Sequence, residues 1–296
     1  ESWGPRLDIG LMIPQFTSPW VDSDGNVTTD PTQFAGYQPT EWVSHPDNVE
    51  NFFRTGVSNR HNLSLTAGSE IANGRLNISR ETNGGTVPNT DLTKTTIGLS
   101  GEIKMGEKVT GRFKSTYINN FSNNLPYGGY SPVNPMQSLG SWFGRQVDME
   151  YLQENWREMD PFGKPVTWSY YYHDNPYWTV HRKPTTRNRD RIFGNAEIQY
   201  NVLDWLNLTA RIGTDLFNEF RKHRVWEMSN ENKTQGGQFW QNKRKNQETN
   251  IDFIASFDKQ INPDIRIDGV LGGNYRRYDY DYSLIQASEL TVPNFF

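Results

Sequence analysis

The sequence predicts an all-β fold, a transmembrane antiparallel β-barrel of which this chain supplies about eight strands with long extracellular loops. Three observations carry that expectation. The clearest is strict alternation from Arg191 to Glu219. Ile192, Gly194, Ala196, Ile198 and Tyr200 form one row, and Phe193, Asn195, Glu197 and Gln199 the other. After Val202–Trp205 the alternation resumes, with Leu206, Leu208, Ala210 and Ile212 set against Asn207, Thr209, Arg211, Gly213 and Asp215. Period two puts successive Cβ atoms on opposite faces, and two such runs joined by a short break make a hairpin. The second observation is that short turns close every hairpin at one end while long excursions join hairpins at the other. The third is composition. Only 34% of residues are apolar, yet there are ten Trp, fourteen Tyr and sixteen Phe, which suits a thin apolar band better than a central core.

Composition also excludes several classes. A net charge of −4 argues against a nucleic-acid partner. The absence of cysteine removes disulfides, thiolate chemistry and Cys-ligated zinc. There is no apolar run long enough for a membrane helix and no signal peptide, neither of which bears against a barrel.

In order along the chain, residues 1–58 form a loop-rich lead-in with a possible short strand at Leu7–Ile13. Within it Val21–Asp30 places Asp22, Asp24 and Asn26 like a calcium loop. Its Gly25 sits at the fourth place, where an EF-hand needs glycine at the sixth, so a plain polar turn is the better reading and no metal site is assigned. Hairpins occupy 59–296. Leu63, Leu65 and Ala67 turn through Ser69–Gly74 to Leu76 and Ile78. Ile97, Leu99, Gly101 and Ile103 turn through Met105–Lys108 to Val109, Gly111, Phe113, Ser115 and Tyr117. A large extracellular loop at 120–188 interrupts, rich in Pro, Gly and aromatics, with a short helix expected after Asp148. The central hairpin follows, then a polar excursion over Phe220–Gln247. Ile251, Phe253, Ala255 and Phe257 then turn near Asn262–Asp264 to Ile265, Ile267, Gly269 and Leu271. Tyr200 and Trp205 at the short-turn end, and Tyr117, Phe217 and Phe220 at the other, stand where aromatic girdles belong.

Several stretches, in order, resemble the SusC/RagA family of TonB-linked transporters in the outer membranes of Bacteroidota. They are ESWGPRLD (Glu1–Asp8), NVENFFRTG (Asn48–Gly56), VPNTDLTKTTIGL (Val87–Leu99), DNPYWT (Asp174–Thr179), RDRIFGNAEIQY (Arg189–Tyr200) and DWLNLTARIGTD (Asp204–Asp215). The resemblance implies a barrel of about 22 strands with an N-terminal plug, TonB coupling through that N-terminal region, and a SusD-like surface lipoprotein as a lid. Neither a plug nor a TonB-binding box is present in this chain, which is therefore expected to be an internal barrel fragment. The implied function is TonB-dependent import of large nutrients, glycans or oligopeptides. Two alternatives stand beside it: a SusC-like barrel acting as a structural subunit of a larger outer-membrane assembly, and a soluble carbohydrate-binding β-sandwich.

No catalytic set is expected. The five histidines lack ligand spacing, and Asp215 with Glu219 share a strand face with Arg211 and Asn207, as a watery lumen requires. No cofactor is expected. The lumen-facing candidates are Arg112, Lys114, Asn195, Glu197, Arg211 and Asp215. The candidates for substrate or partner contact are Trp142, Trp168, Tyr170, Tyr172 and Trp178, from an aromatic-dense loop whose other rings are expected to build its own core. The outward row is expected to meet outer-membrane lipid.

Overall fold

The computed structural model describes residues 6–230 and 235–296. The opening of the Glu1–Asp8 stretch lies outside the described residues. The lead-in carries only two-residue strands. β1 (Met12–Ile13) pairs with β4 (Thr40–Glu41), and β2 (Trp20–Val21) with β3 (Gly36–Tyr37). The strand expected from Leu7 is thus confined to its last two residues. The Val21–Asp30 run is a turn. Asp22 Oδ1 accepts the backbone N–H groups of Asp24 and Asn26, which engages the carboxylate locally.

Eight strands form one antiparallel sheet in sequence order. They are β5 (Val57–Gly68), β6 (Ala72–Gly84), β7 (Asp91–Met105), β8 (Val109–Ser122), β9 (Thr185–Leu203), β10 (Leu206–Val225), β11 (Gln238–Asn262) and β12 (Ile265–Ser288). The bends after β5, β7, β9 and β11 are tight, while the opposite end carries 85–90, 123–184 and 226–237. Between β8 and β9 lie three short helices: α1 (Pro135–Ser141), α2 (Met149–Glu154) and α3 (Pro176–Arg182).

The sheet outruns the expected strands at its long-loop end. β11 has 25 residues and β12 has 24, or roughly 80 Å at the usual rise. The stretch Phe220–Gln247, expected as an excursion, is instead mostly strand; His223 pairs with Trp240 and Val225 with Gln238. The physical reason lies in the side chains. Beyond the apolar band both faces of these strands are polar, so the sequence loses its alternation while backbone pairing continues.

Register keeps the two rows apart across the whole sheet. One residue row runs Ala67, Gly74, Gly101, Phe113, Ala196, Ile212, Ile251, Tyr275 from β5 to β12. Ile97, Leu99, Ile192, Ile198, Leu206, Leu208, Ile212, Ile251, Phe253 and Ile267, the residues of the outward row, lie on this face. The apolar positions of β10 extend from Leu206 to Leu216 and give way to Asn218, the length of a tilted bilayer span. Ile198 is 55% exposed, Phe253 65% and Leu271 70%. A soluble sandwich would bury this face beneath a second sheet, and among the described residues none covers it. The chain is therefore a segment of an antiparallel β-barrel. Gly194 marks the closest approach within it, since a Cβ there would fall 2.1 Å from the Lys114 carbonyl oxygen. One girdle expectation is corrected by register. Phe217 pairs with Arg191 and Asn246 on the polar face, its ring beneath the Arg189 guanidinium at 4.2 Å.

Candidate functional site

At the long-loop end the lead-in and the 123–184 loop fold into one small domain. Each of its helices starts from a residue suited to the task. Asn134 Oδ1 accepts from Met136 N at 3.1 Å, Asp148 from Tyr151 N at 3.1 Å, and Asn175 from Tyr177 N at 2.9 Å. Pro135 and Pro176 follow the two asparagines at the first helical position, where a missing N–H costs nothing. α2 begins where Asp148 predicted but ends at Glu154, leaving Trp156 beyond it. The buried core joins Phe52 of the lead-in to Leu139, Phe143, Val147, Met149, Leu152, Tyr177 and Val180. A second aromatic group of Trp20, Phe34 and Phe162 has centroids 4.4 to 5.6 Å apart. The lead-in is therefore part of the loop domain.

Three of the stretches that carry the family resemblance meet at the junction between this domain and the strands. Asn48 Nδ2 donates to the carbonyls of Gly144 and Val147. Arg54 donates to the Gly85 and Thr90 carbonyls at 2.9 Å, and Asn89 Nδ2 to the Val180 carbonyl at 2.7 Å. Asp91 accepts the backbone N–H groups of Asn123 and Asn124 where the loop leaves β8. Asp174 forms a buried ion pair with Lys183 at 2.5 Å and accepts Asn230 N at 2.8 Å, which ties the stretch 226–230 after β10 to the same body.

The five contact candidates divide by exposure. Trp142 is 54% exposed and Tyr172 75%, beside Tyr171. Trp168 is half-buried, its ring stacked on His173 at 5.3 Å and edge-on to Phe143 at 5.1 Å. Tyr170 is also half-buried; burial, then the nearby Asp160 charge, pushes its hydroxyl pKa up. Trp178 is buried and donates Nε1–H to Ser229 Oγ at 2.9 Å. In the same domain burial pushes the Tyr177 hydroxyl up to about 12. Burial also lowers the His173 pKa, aided by Lys183 and opposed by Asp174. The His173 Nδ1 lies 3.1 Å from Ser138 Oγ.

The six lumen candidates share the polar face. Glu102, Arg112, Glu197, Arg211, Asp252 and Asn274 fall on one row across β7 to β12. Arg112 lies 2.8 Å from Glu102 and 3.2 Å from Glu197, and Arg211 2.8 Å from Asp252. Lys114 and Asn195 pair one row above, and Asp215 is 2.5 Å from Arg191. In these rows Arg112, Arg191 and Arg211 are each paired with carboxylates. Asp215 and Glu219 are each engaged by arginine, Glu219 by both Arg187 (2.9 Å) and Arg221 (2.8 Å). Sequence reasoning missed Arg187, Arg189, Arg221 and Arg244 on this face. The alternate spacing of Arg187, Arg189 and Arg191 was the available signal.

No family model matches the chain, and no curated protein does. Solved structures do. A structure of the RagAB peptide transporter superposes with a TM-score of 0.64 at 15% identity, covering 83% of this chain and 27% of its own. The RagAB peptide importer in its closed-closed state gives 0.59 at 16%, covering 83% and 27%. Its open-open state gives 0.58 at 14%, covering 82% and 26%. The chain thus spans about a quarter of these neighbours. At such identity the likeness is one of fold alone.

Proposed function

We propose that this chain is part of an outer-membrane, TonB-dependent importer of large nutrients, and that oligopeptides are its first candidate substrate, with glycans second. The observation that carries the reading is the two-faced sheet. Its apolar row is continuous over eight strands, its opposite row is charged, and its long connections gather into one folded domain at a single end. A solute path needs that division between lipid face and water face. The neighbours named as peptide importers, and the sequence resemblance to SusC/RagA transporters, support it. In this reading the loop domain lies at the extracellular mouth beneath a SusD-like lipoprotein. Trp142 and Tyr172 are its exposed contact residues, and Trp168, Tyr170 and Trp178 hold them in place. TonB would act through an N-terminal plug region.

Deletion of 140–180 from the complete transporter is expected to abolish uptake of labelled oligopeptide and to release the lipoprotein, with the barrel still inserted. The double substitution Trp142→Ala/Tyr172→Ala tests the contact without removing the core. Normal uptake with an intact complex in both variants would contradict the partner role.

A further inference from the structure

The upper polar face contains more cation than its carboxylates engage. Arg189 pairs in register with Glu219, and Glu219 with Arg244, so the two arginines flank one acid on adjacent strands. Glu219 is already taken. It is buried, and Arg187 and Arg221 hold its two oxygens. Arg191 is engaged by Asp215. Arg189 and Arg244 have neither an ion pair nor a side-chain hydrogen bond among the described residues, and the Nε of each is shut off from solvent. Their neighbours are ring faces, Phe217 at 4.2 Å from the Arg189 guanidinium and Tyr282 at 5.3 Å from that of Arg244. A ring face is a weaker partner for guanidinium than a carboxylate. The other charges on this row, Arg60, Glu81 and Lys94, lie two or more strands from Arg189, and Glu81 is ion-paired to Arg60. Tyr280 and Tyr282, exposed on the same face, add hydroxyl donors beside Arg244.

We propose that Arg189 and Arg244 form a binding site for carboxylates of the transported oligomer, below the loop domain, so that the substrate is anionic. The proposal rests on the import reading and names its substrate class. Neighbouring strands lie about 4.8 Å apart, so the backbones of Arg189 and Arg244, on the two strands flanking β10, are roughly 10 Å apart, a distance that two carboxylates of one oligomer span. Planar forks of this kind favour bidentate carboxylate recognition.

The test is binding to the complete purified transporter with four probes: amidated triglutamate, trigalacturonate, and their neutral counterparts amidated triglutamine and a galactose trimer. One acidic probe should bind about tenfold or more tightly than its counterpart, and which one identifies the source of the carboxylate. Arg189→Gln and Arg244→Gln should each remove about that preference, whereas Arg266→Gln at the short-turn end should not. Should a substituted barrel fail to fold, the wild-type salt series decides alone, since acidic-probe affinity must fall with ionic strength and neutral-probe affinity must not. Equal affinity for acidic and neutral probes, absence of binding by any probe, or unchanged affinity in both folded variants would overturn the site. Uptake of the bound probe by cells is read separately. Binding without uptake would sink the import reading and leave the carboxylate site standing.

Discussion

Leu208 and Thr209 are neighbours in β10 with opposite surroundings. Leu208 pairs with Tyr200 and Ala255 on the apolar face, Thr209 with Gln199 and Ile254 on the polar one. Arginine at Leu208 should cost about 2–4 kcal/mol near the bilayer midplane. At Thr209 it should be close to neutral, as read by denaturant unfolding of the inserted barrel. Asn175 is a sharper case in the loop domain. It is fully buried, caps α3, and satisfies the carbonyls of Leu152 and Val166. Asn175→Ala strips the cap and takes the donor from the buried Leu152 carbonyl and the part-buried Val166 carbonyl, a loss of about 2 kcal/mol that should appear as faster proteolysis within 123–184.

At the scale of elements, the loop domain should be acid-sensitive through His173. Its pKa is lowered in the fold by burial, so the neutral ring is the native form. Stability is therefore intact above the ordinary histidine value near 6.5 and falls as pH drops through it toward the lowered folded value, because the opened loop binds the proton more readily. Protease resistance of 123–184 should decline over that window, and His173→Gln should remove part of the decline, the rest remaining with His181, whose pKa is lowered by burial and by the Arg157, Arg182 and Arg54 charges. A profile unchanged by the substitution would place the sensitivity elsewhere. The elements also show what the sequence made legible. Ile192–Tyr200 and Leu206–Ile212 were readable because bilayer and water impose opposite demands on alternate residues. The upper halves of β10 to β12 were not, since where both faces are wet nothing enforces alternation. Asn134–Pro135 and Asn175–Pro176 did announce helix starts, but in a loop dense with Pro and Asn the pairs look like turns. The aromatic candidates were legible as a group only. Whether a ring such as Trp178 is buried depends on partners like Ser229, which are distant in sequence.

Over the whole molecule, the sheet is open among the described residues, with β5 and β12 at its two edges and unpaired to each other. In hydrocarbon an open edge leaves backbone donors and acceptors unsatisfied, so these strands require further strands beside them. That agrees with a chain spanning about a quarter of the solved transporters it matches. The central claim is that one face of this sheet meets lipid and the other water. Because the sequence contains no cysteine, single spin labels can be placed without background. Glu197 and Ile198 are adjacent in β9 and sit on opposite faces. In the complete protein in membranes, a label at Ile198→Cys should relax with oxygen dissolved in the bilayer and ignore a water-soluble nickel chelate. A label at Glu197→Cys should do the reverse. Equal responses at the two positions, or exchanged ones, would contradict the account.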